Sequence, residues 1–153
     1  MIRKILVPLD GSELAEAILP HVEYLARATN AELVVLCVAV PLRVYTDFIV
    51  TYPIDEQAQL AEAQEYIRGV AATLRERGLK VEAVARYGNA ADEILSQAQE
   101  AGVDLIAMST HGRSGLGRWV FGSVADKVLR AAAKPILLLK PCGGVACTDP
   151  QMS

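Results

Sequence analysis

A glycine-rich segment with two arginines contains the residue types that could bind an anion. It runs from Ser109 to Ser123 and reads Ser-Thr-His-Gly-Arg-Ser-Gly-Leu-Gly-Arg-Trp-Val-Phe-Gly-Ser. Glycines let the backbone approach oxygen atoms without an intervening side chain, and Arg113 and Arg118 add positive charge with forked donors. No acidic residue occurs between Asp104 and Asp126. The segment is therefore predicted to hold a phosphate.

The surrounding pattern places this segment between a strand and a helix. Val103–Met108 is an apolar run typical of a buried strand, and a helical period follows Ser123, which resembles a capping box with Asp126. Unpaired N–H groups and the dipole at a helix N-terminus favour an anion. A glycine-rich connection can also serve only as a turn, with Ser123 as a simple cap, because short glycine motifs often occur by chance. The position at a strand end favours the ligand site.

Short apolar runs alternate with helical periods along the whole chain. Strands are expected at 2–9, 32–40, 81–87, 103–108 and 135–140, and helices between them, the first kinked near Pro20. Such alternation predicts an α/β fold, a single doubly wound five-stranded parallel sheet with helices on both faces. We expect the strand order 3-2-1-4-5, residues 1–141 as one nucleotide-binding domain, and a disordered tail over 142–153. The segment from Pro41 to Pro53 has no clear period and is interpreted as a loop of unassigned role.

Composition excludes several classes of partner. The net charge of −3 argues against nucleic acid and against an anionic membrane surface, and the aromatic share of 5% argues against base-stacking or carbohydrate surfaces. No apolar run is long enough to span a bilayer, and the N-terminus lacks a signal-peptide pattern, so a cytoplasmic protein is expected. Cys37 lies in an apolar run, and Cys142 and Cys147 lie in the tail, where reduced thiols of unassigned role are expected.

Other motifs of nucleotide and hydrolase chemistry are incomplete. The glycine spacing of a P-loop occurs at Gly117 and Gly122, but Ser123 stands where its lysine belongs. Val120 replaces the third glycine of a dinucleotide fingerprint. No acidic cluster with a general base is apparent, so no catalytic residue and no metal ligand is assigned. His111 is left as a candidate general base or a solvated loop histidine.

Two motifs together resemble the universal stress protein family. The first is the family's nucleotide-binding motif, in which a small residue is followed by two residues, a glycine, nine residues and Gly-Ser. In this sequence the motif is formed by Ser109, Gly112 and Gly122-Ser123. The run from Ile5 to Ser12 is similar to the family's opening strand and its aspartate, and the likeness extends from Met1 to about Lys140. Ser109 stands where the family commonly has glycine, so its hydroxyl could crowd a ligand or hydrogen-bond to it.

The resemblance implies a dimeric fold of five parallel strands and, in one branch, ATP binding, with or without Mg²⁺. The resemblance places the adenosine beside Pro8, Leu9 and Asp10, and the adenine at Val38. It places the ribose beside Met108 and Ser109. The phosphates would lie among Gly112, Arg113, Gly122, Ser123 and Val124. Val38 and Met108 could instead be core residues, and Asp10 could be a helix-entry cap.

The resulting function hypothesis is an ATP-binding stress-response protein that acts as a dimeric, nucleotide-dependent regulatory module. The uncharged apolar strand Pro135–Leu139, if it lies at the sheet edge, would pair with a second copy in a homodimer. Two alternatives stay open: a slow ATPase or nucleotide-transferring enzyme that uses His111, Arg113 and Arg118, and an interaction scaffold that binds no nucleotide. Without catalytic groups, at most weak ATP hydrolysis is expected.

Overall fold

The computed structural model of the protein describes residues 1–41, 55–110 and 122–141. In these ranges the chain forms five strands and five helices. Their order is β1 (Lys4–Leu9), α1 (Glu13–Glu16), α2 (Leu19–Thr29), β2 (Glu32–Ala39), α3 (Glu56–Glu76), β3 (Val81–Tyr87), α4 (Ala90–Glu100), β4 (Leu105–Ser109), α5 (Ser123–Ala131) and β5 (Ile136–Leu139).

The strands form one parallel sheet in the order β3-β2-β1-β4-β5, as predicted. Leu9, the last residue of β1, lies opposite Cys37 of β2. The connections run outward from β1 through β2 to β3 in one direction, and from β4 to β5 in the other. The winding therefore reverses between β1 and β4, which is where open α/β sheets bind their ligands.

Two hydrophobic cores cover the two faces of the sheet. Alternate residues of a strand point to opposite faces, so Ile5 and Val7 pack with Ile67 of α3 on one face, together with α1 and α2. Leu6 packs with Ile94 of α4 and Val128 of α5 on the other face. This confirms a doubly wound sheet with helices on both faces.

The helix expected after β1 is two helices. α1 ends at Glu16, and α2 begins at Leu19 with Pro20 in its first turn. A proline is tolerated there because the first-turn N–H groups have no partner inside the helix in any case. The predicted kink near Pro20 is thus a break in the helix.

α3 begins before Leu60, the first residue of the apolar helical period in this part of the sequence. Its first residue is Glu56, and the side chain of Asp55 accepts hydrogen bonds from the N–H groups of Gln57 (3.0 Å) and Ala58 (3.3 Å). The first turn is exposed, so it contains no apolar period for the sequence to reveal. The cap at Asp55 determines where the helix starts.

Two sequence expectations fall on segments outside the described residues. The loop from Pro41 to Pro53 lies there except for Pro41, and so does the predicted tail at 142–153, with Cys142 and Cys147. The domain boundary at residue 141 therefore stays a prediction. In the described part of the chain, no helix combines the length and hydrophobicity that crossing a membrane requires.

Candidate functional site

A cavity of about 770 Å³ opens at the carboxyl ends of β1, β2 and β4. Its volume is in the range of small-molecule sites. The strand ends supply its floor, α3 supplies one wall, and the first turns of α4 and α5 supply another. The cavity thus lies at the reversal of the winding.

Nine of the eleven residues predicted for the nucleotide site line this cavity. They are Pro8, Leu9, Asp10, Val38, Met108, Ser109, Gly122, Ser123 and Val124. The other two, Gly112 and Arg113, lie outside the described residues, as does His111. The fold therefore brings together residues that are far apart in the sequence, through the parallel alignment of the strands.

The carboxylate of Asp10 is oriented by the turn that follows β1. Its Oδ1 atom accepts hydrogen bonds from the backbone N–H (2.9 Å) and the hydroxyl (2.5 Å) of Ser12. Ser12 Oγ in turn accepts from the N–H of Ala15 at 3.1 Å and caps α1. Gly11, between them, has φ +85°, a left-handed conformation that favours glycine. The helix cap is therefore Ser12 and not Asp10, and Asp10 holds Ser12 in place at the cavity edge.

Ser109 uses its hydroxyl inside the protein. The side chain is buried, and its Oγ donates to the carbonyl oxygen of Ala15 at 3.3 Å. The next residue, Thr110, donates its N–H to the carbonyl oxygen of Leu139 at 2.8 Å. These bonds attach the end of β4 to α1 and to β5. The hydroxyl that replaces the family's common glycine therefore positions the strand end.

Gly122 lies against the backbone of Thr110. Its N–H donates to the Thr110 carbonyl oxygen at 2.9 Å. A Cβ at position 122 would lie 2.9 Å from that same oxygen, closer than side chains tolerate. Glycine is therefore needed for this close approach.

The capping box predicted at Ser123 and Asp126 is wrong. The N-cap of α5 is Gly122, whose carbonyl accepts from the N–H of Asp126, and no side chain among the described residues caps this helix. Ser123 is the first helical residue and is exposed. Within the described ranges, the first-turn N–H groups of α5 thus lack a side-chain acceptor, in contrast to those of α1, α3 and α4.

The sequence prediction missed one wall of the cavity. Gln59, Glu62, Ala63 and Tyr66 of α3 line it, as do Ala90 and Ile94 of α4. Tyr66 donates its hydroxyl to Glu16 Oε1 at 2.6 Å. Burial raises the pKa of the Tyr66 phenol well above its ordinary value, and the bond to the Glu16 carboxylate raises it further. The phenol is therefore a neutral donor at physiological pH.

The side-chain oxygen of Gln59 is a buried polar atom on this wall. Gln59 Oε1 is buried and accepts no hydrogen bond in the part of the chain that the structure describes. Buried polar groups are paired in the great majority of cases. Across the same described ranges, no group of three His, Cys, Asp or Glu side chains is arranged to hold a metal ion.

Comparisons with known proteins agree with the fold and with the motifs. The universal stress protein family model matches residues 1–140. Universal stress protein YxiE of Bacillus subtilis is 31% identical over 148 residues, which cover 92% of this chain and 100% of that protein.

Solved structures of similar chains share the architecture. The structure of protein MJ0577 aligns at a TM-score of 0.76 and 27% identity, over 94% of this chain and 99% of that one. The universal stress protein from Archaeoglobus fulgidus in complex with dAMP aligns at 0.65 and 21% identity, over 92% and 98%. With a family match over nearly its whole length, this chain belongs to the universal stress protein family.

Proposed function

We propose that this protein binds an adenine nucleotide, ATP in particular, in the cavity at the carboxyl ends of β1, β2 and β4. The observation that supports this most directly is the convergence on that one cavity of nine residues, from Pro8 to Val124, that the family resemblance assigns to the nucleotide. The adenine complex of a protein with the same fold, dAMP in the Archaeoglobus fulgidus protein, is consistent with it.

The chemistry of the lining suits a nucleoside. Val38 and Ile94 offer apolar surface to a base, and Asp10 offers a carboxylate whose orientation is maintained by Ser12. Carboxylate oxygens accept hydrogen bonds from the hydroxyl groups of a ribose. We therefore place the ribose beside Asp10 and the base against the apolar part of the cavity.

The phosphates are placed at the start of α5. Its uncapped first-turn N–H groups and its dipole favour an anion, and Gly122 lets the backbone approach closely. Gly112, Arg113 and a Mg²⁺ ion belong to the same proposal. The phosphate oxygens would accept hydrogen bonds from these first-turn N–H groups, in the place of a capping side chain.

We further propose a cytoplasmic homodimer whose surface changes with the bound nucleotide. β5 lies at one edge of the sheet, and its residues Ile136–Leu139 are apolar and only partly buried. The opposite edge, β3, contains the charged residues Glu82 and Arg86. Charges discourage pairing at an exposed edge, so β5 is the edge suited to a second copy. Sedimentation as a monomer at micromolar concentration would contradict the dimer.

The test of the nucleotide site begins with the protein purified without added ligand. Mass spectrometry of the denatured protein should detect a retained adenine nucleotide, and titration of the emptied protein by calorimetry should show ATP bound more tightly than CTP. If neither retention nor binding is found, the proposal fails and the interaction scaffold replaces it. Rapid ADP release with Mg²⁺ would instead favour the ATPase.

A further inference from the structure

Both charged side chains that the structure describes in the lining of the cavity are acidic. They are Asp10, which directly follows β1, and Glu62, in the second turn of α3. The described part of the lining contains no lysine or arginine. A cavity proposed for an anionic ligand thus presents two carboxylates to it, and the position of these charges must restrict which ligands enter.

Glu62 and the start of α5 lie in different helix layers. Ala63, next to Glu62, packs in the core on one face of the sheet, and Ala125 of α5 packs in the core on the other face. The Glu62 side chain is exposed at the cavity wall, whereas the dipole and first-turn N–H groups of α5 favour an anion. The cavity therefore has a negative side at α3 and a positive side at α5.

Tyr66 connects the negative side of the cavity to Asp10. It lies one turn after Glu62 and donates its hydroxyl to Glu16 Oε1 at 2.6 Å. Burial raises the pKa of the Tyr66 phenol, the Glu16 carboxylate raises it further, and the nearby charge of Asp10 adds to the effect. The phenol proton is therefore held by Glu16 and does not serve as a donor to a phosphate on this side.

The negative side of the cavity suits neutral hydrogen-bond donors, because an ionised carboxylate accepts hydrogen bonds and donates none. The hydroxyl groups of a ribose are such donors. A phosphate attached to one of these hydroxyls would instead bring negative charge towards Asp10 and Glu62, and like charges at short distance repel even in water. This side of the cavity therefore accepts an unmodified ribose and opposes a phosphorylated one.

We propose that Glu62 is a specificity-determining residue that excludes nucleotides with a phosphate on the 2′ or 3′ oxygen of the ribose. This assignment rests on the proposed adenine-nucleotide site. The site then takes nucleotides that are charged at the 5′ end alone, where the start of α5 receives the phosphates. A repulsive group of this kind separates two ligands that share all other contacts.

The experiment compares the dissociation constants of ATP and of ATP with a further phosphate at the 3′ or the 2′ oxygen, in roughly 0.1 M salt. The wild type should bind ATP about 10-fold more tightly than either analogue. Glu62→Gln should narrow this preference about 3-fold and Glu62→Lys about 10-fold, as one or two units of charge at short distance from a phosphate predict. The change should come mainly from tighter binding of the analogues.

Glu76→Lys is the control for net charge, because it changes the charge by the same amount as Glu62→Lys. Glu76 is the exposed last residue of α3, about four turns or roughly 21 Å further along the helix axis. This distance exceeds the screening length of about 10 Å at 0.1 M salt, so Glu76→Lys should keep the wild-type preference. In roughly 1 M salt the preference of the wild type should narrow towards that of Glu62→Gln.

The outcomes separate this assignment from the proposed function. If the wild type binds ATP and both Glu62 variants keep its full preference over both analogues, the assignment is overturned. Equal narrowing by Glu76→Lys overturns it as well, because net charge alone then explains the effect, and so does a wild type that binds ATP and the analogues equally. If the wild type does not bind ATP, the proposed site itself fails and the assignment fails with it.

Discussion

The backbone N–H of Gly122 donates to the carbonyl oxygen of Thr110 at 2.9 Å, and this bond joins the end of β4 to the start of α5. Thr110 is itself attached to β5 through the carbonyl of Leu139. The first turn of α5 is thereby held at the edge of the cavity, next to the strand end at Ser109. Two backbone hydrogen bonds thus position this part of the site, so substitutions that disturb the backbone should affect it.

Gly122→Ala should weaken both folding and nucleotide binding. The added Cβ would lie 2.9 Å from the Thr110 oxygen, which belongs to the backbone and cannot rotate away as a side chain could, so α5 must shift. We expect the free energy of unfolding to fall by roughly 1–3 kcal/mol, as for other overpacked positions. ATP affinity, measured by calorimetry, should fall about 10-fold or more, which corresponds to about 1.4 kcal/mol of binding free energy.

Gly69→Ala provides the control for that substitution. Gly69 lies within α3, and a Cβ there meets no atom within 4 Å. Alanine is favoured over glycine inside a helix by roughly 0.5–1 kcal/mol, so urea unfolding should show a more stable protein with unchanged ATP affinity. Equal effects of the two substitutions would contradict the close-approach role of Gly122.

Ser123→Asp should separate anion binding from helix stability. A carboxylate in the first turn of α5 stabilises the helix by roughly 0.3–1 kcal/mol through its dipole, and Ser123 is exposed. The same charge repels a phosphate at that position, so ATP should bind roughly 10-fold more weakly at low salt while adenosine is little affected.

The neutral variant Ser123→Asn is the matched control for charge. It has nearly the same size as the aspartate variant and should retain most of the ATP affinity. Calorimetry with ATP and with adenosine at two salt concentrations distinguishes charge from shape. If Ser123→Asp and Ser123→Asn bind ATP equally well, the phosphates do not lie at the start of α5.

The strands and the strand-end residues could be predicted because they depend on local patterns. Buried parallel strands are apolar runs of five to eight residues in this chain, and their carboxyl ends must share one edge. Asp10, Val38 and Ser109 therefore converge once the alternation of strands and helices is recognised. Their roles toward a ligand came from the family motifs.

The α3 wall could not be found in the same way. The helical period of α3 is visible in the sequence only through its apolar residues. Gln59 and Tyr66 have polar groups, so in the sequence they resemble residues that face solvent. The N-cap of α5 was also misassigned, since Ser123 is a better intrinsic cap than glycine. Gly122 is the N-cap because its backbone packs closely against Thr110, a tertiary contact that no local sequence pattern reveals.

Asp104→Asn should remove an acid-sensitive stabilisation at the amino ends of the strands. Asp104 Oδ2 accepts the N–H groups of Arg3 (2.9 Å) and Lys4 (3.0 Å), which connects the start of β1 to β4. These backbone bonds lower the pKa of the carboxyl below its ordinary value. Because the folded-state pKa is depressed, the stabilisation is present above about pH 4 and is lost as the pH falls through the folded value.

Urea unfolding of wild type and Asp104→Asn between pH 7 and pH 2 measures this difference. The wild type should have the higher midpoint at neutral pH, and the two midpoints should approach each other at the acid end. ATP affinity at pH 7 should be unchanged, because Asp104 lies at the amino ends of the strands and the cavity lies at their carboxyl ends. If the difference between the urea midpoints of wild type and Asp104→Asn stays constant with pH, the charge of Asp104 does not have this role.

Tyr66→Phe should reveal a stabilisation that is sensitive to alkali. The Tyr66 hydroxyl connects α3 to Glu16 of α1 beside the cavity, at 2.6 Å. Its removal should lower the free energy of unfolding by roughly 1–2 kcal/mol at pH 7, as for a partly exposed hydrogen bond to a charged group. Burial and the Glu16 carboxylate raise the phenol pKa in the folded protein, so the folded state retains the proton longer than the unfolded state. The wild type should therefore lose its advantage over Tyr66→Phe as the pH rises above about 10, the ordinary value for tyrosine.

Tyr24→Phe, at a position that is 74% exposed, is the control and should match the wild type at every pH. Denaturant unfolding from pH 7 to pH 11 checks this, and a difference between wild type and Tyr66→Phe that widens in alkali would refute the assignment.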